Sequence, residues 1–190
     1  MGRTIDAEIY NNSVYMTLGT TGAPMAFNVH NATIPAQDVQ RVHVRNNIFY
    51  ATGGLKVLSV SADQINGAVD LRFEGNVYYA AGATPSIRWG NTTYAGLNAW
   101  RTATTQELLG GVPVGGQVNP SWANPGGGGT IGNADLLNTL TAYRLAAGSA
   151  VIDRGLNLSQ RFGLNAGSAD FFGGSIAYGA DYDIGAHEWR

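Results

Sequence analysis

Nine side chains capable of chemistry recur at every second position of three short stretches. Asp6, Glu8 and Tyr10 lie in the first, Arg41, His43 and Arg45 in the second, and Asp70, Arg72 and Glu74 in the third. Paired carboxylates are the working groups of glycoside hydrolysis, one as acid and the other as base or nucleophile. A polysaccharide lyase needs instead a base near the sugar carbon and positive charge against a uronate, which His43 and an arginine could supply. Both chemistries draw on the same residues. Asp6, Glu8, His43, Asp70 and Glu74 are the candidates for catalysis, and Tyr10, Arg41, Arg45 and Arg72 for holding substrate.

These stretches belong to a repeat. Each runs into an asparagine and then an aromatic-rich segment, and aligning Asn12, Asn47 and Asn76 gives spacings of 35 and 29 residues. Self-similarity of this kind is the mark of a solenoid. Residues before each asparagine alternate with the strand period. Ile5, Ala7 and Ile9, then Val42 and Val44, then Val69, Leu71 and Phe73 are expected to point inward, with Gln40 breaking the apolar series. The asparagines sit at bends, where this residue tolerates the left-handed conformation, and stacked amides can form a ladder. Val14-Tyr15-Met16, Ile48-Phe49-Tyr50 and Val77-Tyr78-Tyr79 form a second strand set. A third is Ala26 to His30, Lys56 to Val60 and Ser86 to Trp89. Three strands per coil predict an all-β fold, a short right-handed parallel β-helix; a β-sandwich has no reason to repeat the asparagine bend.

The same alignment stacks the outward residues as Asp6–Arg41–Asp70, Glu8–His43–Arg72 and Tyr10–Arg45–Glu74. With coils ~4.8 Å apart and alternate residues ~6.6 Å apart, the nine cover roughly 10 by 13 Å, about two sugar rings. Asp6 and Asp70 would then lie ~10 Å apart at Cβ, just beyond the ~6.5–9.5 Å of an inverting carboxyl pair. The plain alternative is a solvated ion ladder, in which exposed pairs contribute only ~0–1 kcal/mol each.

At 190 residues the chain fits one domain, with about 1–96 as regular coils and 97–190 as irregular closing coils and cap. Only 13% of residues are charged, 27 are glycine and none is cysteine, which suits a turn-rich β protein and excludes thiol chemistry and disulfides. A net charge of -2 and a single lysine, Lys56, argue against nucleic acid as a partner. No apolar run is long enough for a membrane-spanning helix. His30, His43 and His187 lack ligand spacing and no calcium loop is evident, so no metal or other cofactor is expected. In the second half, short helices are predicted near Leu97 to Ala103 and Asn133 to Leu140, the latter capped by Asn133. Tyr143-Arg144-Leu145 and Ala150-Val151-Ile152 read as final strands. Trp89 and Trp100 could stack on sugar from loops beside the charged face, or plug the end of the core.

Ala99-Trp100-Arg101, the run from Tyr143 to Gly155, and Asp183-Ile184-Gly185-Ala186-His187-Glu188 resemble the closing segment of bacterial right-handed parallel β-helix repeat proteins. The resemblance covers about residues 40 to 190 and implies a secreted, extracellular or periplasmic setting. That family includes glycoside hydrolases and polysaccharide lyases, so it implies a poly- or oligosaccharide partner and an enzyme, a hydrolase before a lyase. The alternative is a non-catalytic closing module that binds glycan or ends a larger solenoid. In such a cap Asp153 and Asp183 are expected to accept backbone amide bonds. The repeat begins almost at Met1 with no apolar leader, which suggests a start inside a longer array. An open first coil would also expose Ile5, Ala7 and Ile9, predicting end-to-end self-association.

Overall fold

The computed structural model describes residues 4–17, 27–29, 39–129 and 131–190. Three strands make each coil. The first contributes β1 (Ile5–Tyr10), β2 (Ser13–Met16) and β3 (Asn28–Val29). The second contributes β4 (Gln40–Arg45), β5 (Ile48–Ala51) and β6 (Lys56–Val60), followed by one turn of helix, α1 (Ala62–Ile65). The third contributes β7 (Val69–Glu74), β8 (Val77–Ala80) and β9 (Ser86–Trp89). Strands pair in parallel as β1-β4-β7, β2-β5-β8 and β3-β6-β9, so the fold is a parallel β-helix. Of the expected Ala26–His30 strand, Ala26 and His30 lie outside the described residues.

The asparagine ladder forms at the bend. Asn12 donates from its side-chain amide to Asn47 Oδ1 at 2.9 Å, and Asn47 in turn donates to Asn76 Oδ1 at 2.9 Å. A fourth rung, not anticipated from the repeat, ends it. Glu107 is wholly buried and accepts from Gly75 N, Asn76 N, Asn76 Nδ2 and Tyr78 Oη, at 2.6 to 3.3 Å. Burial pushes its carboxyl up to about 7, against the pull of those donors. Glu107 stands 31 residues after Asn76, within the spread of the earlier spacings, and that interval was the signal for a fourth copy.

One expectation about the core is corrected. Ala7, Ile9, Val42, Val44, Leu71 and Phe73 belong to the interior, but Ile5 and Val69 are 50% and 56% exposed. The cause lies in the next residue of each strand. Asp6, Arg41 and Asp70 have φ of 57°, 50° and 59°, and drop out of the strand pairing between matched neighbours. A left-handed residue breaks the pleat, so alternation restarts after it.

The open end of the third coil is sealed. β10 (Thr92–Ala95) folds back antiparallel on β9, and α2 (Leu97–Thr104) drops Leu97 and Trp100 into the core. Trp100 meets Phe73, Tyr78 and Trp89 at centroid distances of 5.5 to 5.8 Å. A small hairpin, β11 (Leu108–Leu109) and β12 (Val112–Pro113), follows.

The remaining chain crosses the outside of the second sheet. Ile48, Tyr50 and Val77, outward residues of β5 and β8, are buried there with Trp122, Leu145, Val151 and Ile184. Tyr50 stacks on Trp122 with centroids 5.2 Å apart and planes at 16°. The Asn133 cap holds, its side chain accepting from Asp135 N, but the turns Ala134–Thr139 and Thr141–Tyr143 are 3-10 helix. Tyr143 to Leu145 and Ala150 to Ile152 are turns with one bridge, Leu145 to Trp122, and not strands. Packing on a ready-made apolar face makes a ladder of their own unnecessary.

A candidate site on the first sheet

The predicted columns come together. β1, β4 and β7 align Glu8 with His43 and Arg72, and Tyr10 with Arg45 and Glu74; Asp6, Arg41 and Asp70 lie between paired neighbours. His43 occupies the centre. Its Nδ1 lies 2.6 Å from Glu8 Oε1 and its Nε2 3.0 Å from Asp70 Oδ2. An ionised carboxylate only accepts, and a neutral imidazole donates from one nitrogen, so both bonds are donated together only by the imidazolium. Arg41 forms a two-point pair with Asp6, and Arg72 Nε donates to Asp70 Oδ1 at 2.9 Å.

Electrostatics divide the face. The bond from Arg41 holds the Asp6 carboxyl below the usual range. Arg72, and after it His43, do the same for Asp70. Both are therefore carboxylates at neutral pH, suited to a base and poorly suited to proton donation. Of the groups on this face, His43 is the one whose two ring nitrogens both face carboxylates, Glu8 and Asp70.

The third column is closed. α3 (Leu158–Phe162), with Asn157 accepting from Gln160 N and Gly163 in the left-handed conformation behind it, lays Phe162 over the Arg45 guanidinium at 3.8 Å. Beneath that ring Arg45 donates to Glu74 at 2.8 Å and to Glu8 at 2.6 Å. Arg45 and Glu74 are 4% and 7% exposed. As a catalytic carboxylate and a substrate-binding arginine they are therefore corrected: ring and ion pair leave no open face for a ligand. Tyr10 turns its hydroxyl to the carbonyl of Asn165 at 3.3 Å. The open part of the face comprises Asp6, Glu8, Arg41, His43, Asp70 and Arg72.

Trp100 is also corrected as a sugar contact, because it has no exposed surface at all. Trp89 packs edge-on against Phe73 and its ring is half-buried, so it too serves the plug. Tyr79 and Trp122 belong to the outer aromatic layer of the second sheet. Asp153 and Asp183 do accept backbone amides, Asp153 from Ala180 at 2.7 Å and Asp183 from Asp153 and Trp189 at 2.7 Å each.

Fold and site together define a short, capped parallel β-helix with an ion-paired sheet face. Comparison with known protein families, with curated proteins and with solved structures finds no match.

Proposed function

We propose that this chain is the closing module of a secreted, carbohydrate-associated parallel β-helix and is not itself catalytic. One observation carries the reading, the difference between the two ends of the coil stack. At the third coil Trp100 fills the core and Glu107 ends the asparagine ladder. At the first coil, among the described residues, β1 and β2 each have a strand on one side only. The likeness of the closing residues to bacterial β-helix proteins lends the carbohydrate association and the extracellular or periplasmic setting. The ion pairing supports the non-catalytic part, since Arg41 and Arg72 engage Asp6 and Asp70 and leave neither suited to donate a proton, and Arg45 and Glu74 are covered. The test is incubation with a panel of neutral and acidic polysaccharides, reading new reducing ends and unsaturated products. The proposal expects neither.

A second reading, a glycoside hydrolase or a lyase, is favoured by His43 between two carboxylates on an open face. It predicts turnover that disappears in His43→Ala and falls steeply in Asp70→Asn. Such turnover overturns the non-catalytic reading.

A further inference from the structure

The C-terminal tail encloses a cleft of about 420 Å³, within the range of small-molecule sites and apart from the charged sheet face. Arg144, Asp170, Glu188 and Arg190 line it, and of these Arg144 and Glu188 each leave a buried polar atom without a partner. Arg144 buries its Nε with no acceptor, and its guanidinium makes no hydrogen bond or ion pair among the described residues; its only contact of note is the Phe172 ring at 4.7 Å. Glu188 is 5% exposed, and its Oε1 takes the Asp183 amide at 3.1 Å while Oε2 has no donor. Buried polar atoms left unsatisfied are uncommon and expensive, about 1–3 kcal/mol each and more when charged. The neighbouring Asp170 is different, since its oxygens take the amides of Phe172, Gly174 and Glu188 and build the wall.

Two further groups face the same cleft. His187 accepts the Leu145 amide at Nδ1, 3.0 Å away, which leaves the neutral ring with its proton on Nε2 as a donor. Trp189 is 36% exposed and lines the cleft.

We propose that this cleft binds a small hydroxylated carboxylate, its carboxylate on Arg144 and a hydroxyl hydrogen-bonded to Glu188 Oε2. The unpaired guanidinium calls for an anion with planar oxygens. The unpaired glutamate oxygen calls for a hydroxyl, which can donate to a carboxylate or accept from a carboxylic acid, and the two stand in one cleft too small for a macromolecule. Trp189 supplies an amphipathic surface for a carbon ring. A sugar acid and a free hydroxy acid share this chemistry.

The test is calorimetric titration of the intact chain with glucuronate, tartrate, glucose and acetate. Glucuronate or tartrate should bind, with glucose and acetate each weaker by about tenfold or more for want of one anchor. Arg144→Gln should weaken the acid by about tenfold. Trp189→Ala, at a half-open position that leaves the packing intact, should weaken glucuronate and spare tartrate. Preference for glucuronate assigns a sugar acid and preference for tartrate a free acid, and either supports the site. No binding at millimolar concentration, binding indifferent to both variants, or equal binding of acetate would overturn it. Because no turnover is read, failure here leaves the closing-module reading standing.

Discussion

Replacing Glu107 by alanine strands four donors, on Gly75, Asn76 and Tyr78, in a site with no water access. Losses of roughly 2–4 kcal/mol follow from orphaned buried groups of this kind, read as a lower midpoint in urea. The same residue makes stability depend on pH. Its folded-state value of about 7 lies above the ordinary 4.5, so its contribution is full below 4.5 and is lost as pH rises to about 7. The shift corresponds to about 3 kcal/mol over that window. Glu188 is raised to about 7 as well and acts with the same sign. Urea midpoints taken from pH 4.5 to 7.5 should therefore fall, and fall clearly less in Glu107→Gln; an unchanged slope contradicts the burial argument. Two of the ion pairs on the sheet face differ in exposure. Arg45→Ala leaves Glu74 buried without a partner and should lose about 3–5 kcal/mol. Arg41→Ala opens a solvent-exposed pair and should leave the urea midpoint essentially unchanged. The residue types of this face were legible in the sequence, but their solvent access was not. Nothing local to Arg45 announces a phenyl ring from more than 100 residues away.

Strands were readable because two signals coincided, the period of two and the asparagine that ended each copy. Where a left-handed residue interrupted the period, at Asp6, Arg41 and Asp70, the inward assignment of Ile5 and Val69 failed. Aspartate at two of these positions was the available hint, since it visits that conformation more readily than most residues. α3 carried a sequence signature in Asn157 and Gly163, but a helix of five residues has too little periodicity to stand out. Its position comes from elsewhere. Asn46 exchanges two bonds with the backbone of Leu156, both 2.8 Å, and Leu156 fills the space beside Gly75. A Cβ at Gly75 would stand 2.8 Å from Leu156 Cγ, on a backbone with φ of 75°. Gly75→Ala should thus loosen the tail, destabilising by about 1–3 kcal/mol. Hydrogen exchange should show faster exchange across 156–163 than in the wild type while β4 and β5 keep their protection; uniform protection would contradict this docking.

At the scale of the molecule, the chain is two layers with unequal ends. Outward residues of β5 and β8 read as half-exposed strand in any local view, yet the second half of the chain buries them. Such a layer is invisible to periodicity because its own segments have none. The ends follow from the same sequence, sealed by Trp100 and Glu107 at one side and edged by β1 and β2 at the other. Among the described residues the first coil is the uncapped end, and its strand edge with an exposed Ile5 invites another edge, so association should close at a two-fold dimer. Light scattering across a range of protein concentration tests this asymmetry most directly. The mass should rise from monomer toward dimer and stop there, with Ile5→Lys shifting the rise to higher concentration; a monomer throughout, or growth past the dimer, would contradict it.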